Sequence, residues 1–220
     1  MQAVDPVVEA ALRRRQSHPQ EMALLVGLSG IDGSGKGYLA SRFVAALTAS
    51  GLKTAAINVD GWLNLPDIRF DPRRPAENFY ENALRLEELF ARLVLPLREK
   101  RSACVAMEWV AETAKASQPF TYHFENVDVI VLEGIFLFKR AYRRRFDLAV
   151  WVDSSWETAL ERSIARAQEG LPPDETVRAY RTIYFPAEEI HFALDDPRGA
   201  ADLIVANDPL LSERGAAGAS

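Results

Sequence analysis

Short, continuously apolar runs alternate along the chain with segments in which apolar residues recur at helical spacing. Five runs are rich in Val, Ile and Leu and have no regular polar face: "ALLVGLS", "TAAINVD", "VDVIVLEG", "DLAVWVD" and "ADLIVAND". Runs of this kind are typical of parallel strands that are buried on both faces. Because helical segments lie between them, the pattern predicts an α/β fold, with a five-stranded parallel sheet and helices on both faces.

Two apolar stripes predict helices in the first half of the chain. Leu39, Phe43 and Leu47 fall at i, i+4 and i+8, which is one stripe of an amphipathic helix. A second stripe predicts a single helix over residues 76–95, marked by the apolar side chains Phe79, Leu86, Phe90 and Leu93. Pro96 should end or kink this helix, because proline has no backbone N–H to donate.

The remaining helical signals set the expected boundaries. Ser154 and Glu157 lie at capping-box spacing and predict a helix that ends at Gly170, with Asp153 in the turn before it. Val4 to Gln16 predicts a further helix at the N-terminus. We therefore expect an extra N-terminal helix in residues 1–22, one main domain in residues 23–208 and a disordered tail in residues 209–220.

Composition restricts the class of protein further. The 220 residues carry a net charge of −5 and form no basic stripe, which disfavours nucleic acid and membrane surfaces as partners. The single cysteine, Cys104, excludes an internal disulfide framework and suits a reducing compartment. No apolar run is long enough to span a bilayer. A cytoplasmic enzyme or binding protein is expected, with homo-oligomerisation left open.

The segment "GIDGSGKGYLA" contains most of a phosphate-binding motif, G-x-x-x-x-G-K-[ST], between a predicted strand and a predicted helix. Glycines allow consecutive backbone N–H groups to line an anion-binding concavity, and the helix adds its positive N-terminal end. Lys36 would neutralise the β- and γ-phosphates of a nucleotide. The segment therefore predicts an ATP site formed by Gly30, Asp32, Gly33, Ser34, Gly35, Lys36, Gly37 and Tyr38.

Gly37 departs from this motif, because the position normally carries a Ser or Thr whose hydroxyl binds Mg²⁺. One missing ligand need not abolish metal binding, since Mg²⁺ usually keeps several waters and is held by carboxylates and phosphates. The favoured hypothesis is a working site with weakened Mg²⁺ affinity. The alternative is a nucleotide-binding protein whose catalysis has decayed.

Acidic residues follow two of the predicted strands. Asp60 ends "TAAINVD" and Glu133 ends "VDVIVLE", and a carboxylate at such a position beside a phosphate loop is a typical metal-side acid. Each could instead be a turn-forming or solvated acid. Arg162 and Arg166 are four residues apart on one helix face, where they could clamp phosphate from a lid or simply form a solvated surface.

Together these segments resemble the uridine kinase and phosphoribulokinase family of P-loop kinases, from about Leu24 to Asn207. The resemblance rests on four stretches and their order: "GIDGSGKG", "NVDGW", "VIVLEGIFLF" and "VWVDSSWETALERSIARA", followed by "RAYRTIYFPAEEIHFALDDPRGAADLIVAND". It implies a three-layer P-loop NTPase fold with a helical lid, and transfer of the ATP γ-phosphoryl group to a hydroxyl of a small molecule, with Mg²⁺.

The resemblance also implies roles for individual residues. Asp60 would be the base that receives the acceptor's proton and a metal-side acid, and Glu133 would help to position metal. Lys36 would hold the phosphates, and Arg162 and Arg166 would lie in the lid. The catalytic residues are thus predicted to be Asp60, Lys36, Arg162 and Arg166, and the metal ligands Asp60 and Glu133.

The acceptor is less well specified. A nucleoside is favoured, with a sugar, pantothenate or nicotinamide riboside as alternatives, because "CVAMEWVAETAKASQPFTYHF" lacks the Tyr-Asp-Phe and His-Ser-Arg elements of the uridine kinase substrate hairpin. The residues that could stack on a base are Trp62, Trp109, Tyr122 and Phe124. Arg73 and Arg74 could meet an anionic acceptor, and Asp71 could bind a polyol. A GTP-dependent switch is disfavoured, since no Asn-Lys-x-Asp segment is present.

Overall fold

A parallel sheet of five strands lies at the centre of the molecule, as predicted. The computed structural model describes residues 4–167 and 170–208. The strands in this part of the chain are β1 (Leu24–Ser29), β2 (Thr54–Asn58), β3 (Ala103–Trp109), β4 (Gln118–Phe124), β5 (Val129–Glu133), β6 (Leu148–Asp153) and β7 (Leu203–Ala206). The central sheet has the order β2–β5–β1–β6–β7, and every neighbouring pair is parallel.

Helices cover both faces of this sheet, which is why its strands are continuously apolar. The helices of the described residues are α1 (Asp5–Ser17), α2 (Lys36–Ala49), α3 (Pro66–Arg69), α4 (Pro75–Asn82), α5 (Leu86–Leu89), α6 (Leu95–Lys100), α7 (Trp156–Arg166), α8 (Pro173–Ala179) and α9 (Phe185–Asp195). On one face, the predicted stripe of Leu39, Phe43 and Leu47 packs with α1 against the strands. The other face buries a larger cluster that includes Phe79, from α4.

The prediction of one helix over residues 76–95 is wrong. The chain leaves the helical conformation after α4, where Leu84 forms an isolated antiparallel bridge with Leu63. The backbone N–H of Arg85 donates to the carbonyl of Trp62, and that pairing competes successfully with helix continuation. Beyond Leu86 the backbone stays helical through a π turn over Phe90–Val94 into α6, so Pro96 does not end the helix. The π turn directly before Pro96 is the local irregularity in this stretch.

The helix after β6 begins and ends differently from the prediction. Its N-cap is Ser155, whose hydroxyl accepts from the Thr158 backbone N–H, and Ser154 makes no cap. The helix ends at Arg166, where Ala167 takes a left-handed conformation, so Gly170 lies beyond it. Asp153 ends β6 and accepts hydrogen bonds from Arg198 and Trp151 instead of capping the helix.

Outside the central sheet, β3 and β4 form an antiparallel hairpin in the region that the resemblance aligns with a substrate hairpin. The N-terminal helix is present as α1, whereas the predicted tail in residues 209–220 lies outside the described residues. None of the helices in the described part of the chain combines the length and apolar character that crossing a membrane would require. The helices α7 to α9 follow β6 and supply the segment predicted as a lid.

Candidate functional site

The glycine-rich loop connects the end of β1 to the start of α2, and its backbone is held in an unusual conformation. Gly33 has φ +78° and Gly35 has φ +83°, values that residues with a Cβ rarely adopt. A Cβ at Gly33 would lie 2.3 Å from the Ala159 carbonyl oxygen, and one at Gly35 would lie 2.4 Å from Asn207 Nδ2. Both the torsion angles and the close packing therefore require glycine at these two positions.

Side chains from distant segments fix the loop in place. The carbonyl oxygen of Ser34 accepts hydrogen bonds from Arg162 Nη1 at 3.2 Å and from Asn207 Nδ2 at 2.8 Å. Arg162, predicted as a phosphate-binding lid residue, thus contacts the loop backbone. Asn207 was not singled out from the sequence, although it follows the strand-like run "ADLIVA" at the same sheet edge.

A cavity of about 370 Å³ opens beside the loop at the carboxyl edge of the sheet. It brings Lys36 together with both predicted strand-end acids, Asp60 and Glu133, and with Arg166. The loop residues in its lining are Asp32, Gly33, Gly35, Lys36, Gly37 and Tyr38, whereas Gly30 and Ser34 are buried beneath them. The strand ends therefore meet the phosphate loop where parallel α/β sheets bind their ligands.

Asp32 has several polar contacts in the cavity. Its carboxylate accepts from the Gly33 backbone N–H at 2.9 Å, from Arg166 Nη2 at 3.4 Å and from the Tyr180 hydroxyl, and it lies 3.9 Å from Lys36 Nζ. Burial by itself would raise the pKa of Asp32, but Lys36, Arg166 and these hydrogen bonds together hold it below its ordinary value. Asp32 therefore stays ionised and links the loop to the lid.

The net pKa shift is upward for Asp60 and Glu133, because the effect of burial prevails there. Burial raises the pKa of Asp60 above its ordinary value, with Lys36 opposing the shift. It raises the pKa of Glu133 to about 7, again opposed by Lys36 and reinforced by the negative charges of Asp60 and Asp32. The Asn58 side chain fixes the Asp60 backbone by accepting from its N–H at 2.7 Å. Two partly desolvated carboxyl groups thus lie beside one lysine.

The carboxyl groups of Asp60 and Glu133 form a donor set that fits Mg²⁺. This ion prefers carboxylate oxygens, and water and substrate phosphates commonly complete its coordination. Among residues 4–167 and 170–208, no group of three or more His, Cys, Asp or Glu side chains is arranged to hold a metal by itself. Gly37 faces this donor set, because a Cβ added there would lie 3.9 Å from both carboxyl oxygens of Glu133. A hydroxyl-bearing side chain at position 37 would therefore have room and would point near Glu133.

The cavity contains functional candidates that the sequence patterns did not indicate. They are Arg69, Glu112, Tyr184 and Glu188. By contrast, the aromatic residues suggested for base stacking, Trp62, Trp109, Tyr122 and Phe124, do not line it. Trp62 is fully buried and stacks on Tyr122. The exposed Arg73 pairs with Asp71 outside the cavity.

Glu188 is a buried acid in this lining and is 2 % exposed. Within 3.5 Å neither of its carboxyl oxygens has a well-aligned hydrogen-bond partner among the described residues, although the Asp32 backbone acts weakly on the carboxyl group. Burial raises the pKa of Glu188 to about 8; Lys36 opposes the shift, and Asp32 reinforces it. No local sequence signal marks this position. Glu188 and Glu189 are adjacent glutamates on α9, and only their positions on different faces of the helix make one buried and the other exposed.

Glu188→Gln should change the pH dependence of stability. The carboxyl group ionises in the unfolded chain above its ordinary pKa of 4.5 but in the folded protein only above about 8. The free energy of unfolding should therefore fall as pH rises through this window, by on the order of a few kcal/mol. The amide removes this loss, so the variant should be more stable than the wild type at pH 8–9 and similar near pH 5.

Urea unfolding measured at several pH values tests this expectation. Glu189→Gln is the matched control, because it makes the same change at an exposed site on the same helix. Identical pH profiles for the two variants would contradict the assignment of a raised pKa to Glu188.

Comparison with known proteins supports the fold and leaves the activity open. No protein-family model matches the chain, and no curated protein matches its sequence. Its structure is similar to that of a possible uridine kinase from Bacillus stearothermophilus, with a TM-score of 0.72 and 19 % identity over 92 % of this chain and 97 % of that one. A protein from Silicibacter sp. TM1040 that carries the name of a fructose transport system kinase also has a TM-score of 0.72, at 23 % identity over 93 % and 99 %.

A more distant likeness is to D-glycerate 3-kinase from Cryptococcus neoformans, with a TM-score of 0.60 and 12 % identity over 88 % of both chains. At these identities the likeness concerns the fold. The chain has the three-layer α/β fold of the P-loop kinases, and the predicted resemblance to uridine kinase and phosphoribulokinase-like proteins is confirmed at that level.

Proposed function

We propose that the protein is an ATP-dependent kinase that transfers the γ-phosphoryl group to a hydroxyl of a small molecule. One observation carries the proposal: Asp60 and Glu133, from different strand ends, line the same cavity as Lys36 and the phosphate loop. The buried Glu133 and the half-buried Asp60, both with raised pKa values beside a glycine-rich loop, are the arrangement that favours a functional site. The P-loop kinase fold supports the same reaction class.

In this mechanism Asp60 is the general base. The acceptor hydroxyl loses its proton to the Asp60 carboxylate while its oxygen bonds to the γ-phosphorus. The bond from that phosphorus to the bridging oxygen breaks, and ADP leaves. The raised pKa of Asp60 makes its carboxylate a stronger base than an exposed aspartate, although a carboxylate that is too buried would already be protonated.

The remaining residues of the site would bind the phosphates and stabilise their negative charge. Lys36 and the loop N–H groups bind the phosphates, and Arg166 stabilises the charge that develops on the transferred group. Arg162 supports this arrangement through the Ser34 carbonyl. Glu133 and Asp60 would hold Mg²⁺, which would neutralise phosphate charge in the complex. The cytoplasmic location and the absence of nucleic-acid partners stay predictions.

The direct test is ATP consumption with a panel of acceptors, namely nucleosides, sugars, pantothenate and nicotinamide riboside, with mass spectrometry of the product. Turnover that depends on one acceptor supports the kinase. ATP binding without turnover for any acceptor favours the alternative suggested by Gly37, a nucleotide-binding protein that has lost catalysis.

Gly37→Ser should tighten the apparent Mg²⁺ affinity by about 3- to 10-fold, because it supplies the missing oxygen ligand beside Glu133. The measurement is ATP turnover against free Mg²⁺ concentration. Gly37→Ala is the control, since it adds the same Cβ without a hydroxyl and should leave the metal affinity unchanged. Equal affinities in the wild type and the Ser variant would show that position 37 does not affect metal binding.

A further inference from the structure

Arg69 is a buried cation in the lining of the cavity. It is the last residue of α3, it is 3 % exposed and it lines the same cavity as Asp60. Burial lowers the pKa of Arg69, while Tyr184, Glu112 and Asp60 act in the opposite direction. Asp60 is the proposed base, so the Arg69 guanidinium lies near the place that the acceptor hydroxyl must occupy.

The hydrogen bonds of Arg69 are incomplete. Its Nη2 donates to the backbone carbonyl of Glu112, and its buried Nε has no partner among the described residues. Within that part of the chain, no carboxylate forms an ion pair with it at the 4.0 Å limit. A guanidinium offers five donors, and a buried charge that is only partly compensated destabilises a protein. The Phe70 ring, 5.0 Å from the Arg69 guanidinium, and the charges of Glu112 and Asp60 beyond ion-pair distance offset only part of this cost. Such a residue is expected where a ligand supplies the missing anion.

Neighbouring arginines do not share this situation. Arg73 pairs with Asp71 at 3.3 Å and Arg74 pairs with Glu81 at 3.4 Å, and neither lines the cavity. These two were the sequence-based candidates for meeting an anionic acceptor. Arg69, by contrast, lines the cavity.

The aromatic side chains that line the cavity are Tyr38, Phe79 and Tyr184, and no two of them stack in parallel among the described residues. Trp62 and Tyr122 stack on each other, with ring centres 6.2 Å apart and planes 9° from parallel. Phe79 and Tyr184, which do line the cavity, meet edge to face at 64°. Two rings in that relation do not form a parallel slot around a base.

Building on the proposed kinase activity, we propose that Arg69 binds a carboxylate of the acceptor, so that the substrate is a small hydroxy acid. A guanidinium pairs with a carboxylate in bidentate geometry. A single negative charge fits better than the double charge of a phosphate ester, because Glu112 and Asp60 already act on the same guanidinium. The free hydroxyl of such an acid would face Asp60.

Matched acceptors test the proposal: glycerate against glycerol, gluconate against glucose and pantothenate against pantothenol, with uridine and glycerol 3-phosphate as further arms. A carboxylate should raise kcat/KM by about 30-fold or more over its neutral partner. Arg69→Gln should remove that preference mainly through KM, and should leave the KM for ATP within about 2-fold. Arg73→Gln, an exposed arginine on the same segment, should behave as the wild type.

Thermal unfolding gives a readout that does not depend on turnover. Arg69→Gln should leave the Tm of the unliganded protein unchanged or raise it, since it removes a buried charge that forms no ion pair with the described residues. At least one of the carboxylates should raise the Tm of the wild type but not of the variant. A purely structural arginine would instead lower the Tm when replaced.

The outcomes distinguish a failure of the carboxylate assignment from a failure of the kinase proposal. Preference for uridine, a neutral acceptor or the phosphate ester overturns the carboxylate assignment while supporting the kinase. Failure of every carboxylate to raise the Tm or to be phosphorylated also overturns it. If no acceptor supports turnover, the kinase proposal fails, whereas an Arg69-dependent Tm shift with a carboxylate would still support the anion site.

Discussion

Asp60→Asn is expected to bind ATP with near-normal affinity and to lose phosphoryl transfer by a factor of about 10²–10⁴. The amide keeps the size of the side chain and leaves the backbone bond from the Asp60 N–H to Asn58 intact, so the local structure should persist. It cannot accept the acceptor's proton, and it is a poorer Mg²⁺ ligand than a carboxylate. The loss should therefore lie in kcat.

Single-turnover kinetics and ATP calorimetry measure the two effects separately. Asp67→Asn provides the control, because it makes the same chemical change at an exposed site on the following helix and should retain full activity. Near-normal kcat in the Asp60 variant would remove this residue from the mechanism.

Lys36→Ala should weaken both nucleotide binding, by about 10-fold or more, and transfer, by about 10³-fold or more. Its ammonium group is buried beside the loop, 3.4 Å from the Ile31 carbonyl oxygen and 3.9 Å from Asp32. The charge serves the bound phosphates before the reaction and in the transition state. Lys36 also lowers the pKa of Glu133, so its removal should make that acid harder to ionise.

Calorimetry with ATP and steady-state kinetics check this expectation. Lys53→Ala, at an exposed lysine before β2, is the matched control and should change neither quantity. A Lys36 variant that binds ATP as tightly as the wild type would refute the assignment of the loop as a phosphate site.

The structural features that depend on residues close together in the chain could be predicted from the sequence. The strands could be predicted from continuous apolar runs alone, because a strand that is buried on both faces has apolar residues at nearly every position. The phosphate loop needed Gly33, Gly35 and Lys36 within a few residues, directly between a strand and a helix. Asp60 and Glu133 could be associated with it because parallel strands end at one edge.

Helix boundaries depended on partners far along the chain. The break at residues 83–85 arises from backbone pairing with residues 62–64, which competes with helical hydrogen bonds. Likewise, the capping region of α7 depends on Asp208, whose carboxylate accepts from the Ser155 backbone N–H and the Thr158 hydroxyl. Neither partner is visible in a local window of sequence.

From its residues alone, this chain can be recognised as an α/β protein with a nucleotide-type phosphate loop and two acids nearby. Tertiary packing decided which other charges enter the cavity. Arg69 and Glu188 are ordinary members of polar segments, yet they are buried where α3 and α9 pack beside the site, whereas Arg73 and Glu189 remain exposed. The spacing of residues along the chain is enough to specify strands and loops. Whether a charged side chain loses its water depends instead on which helices and strands pack against it, and only the tertiary structure determines that.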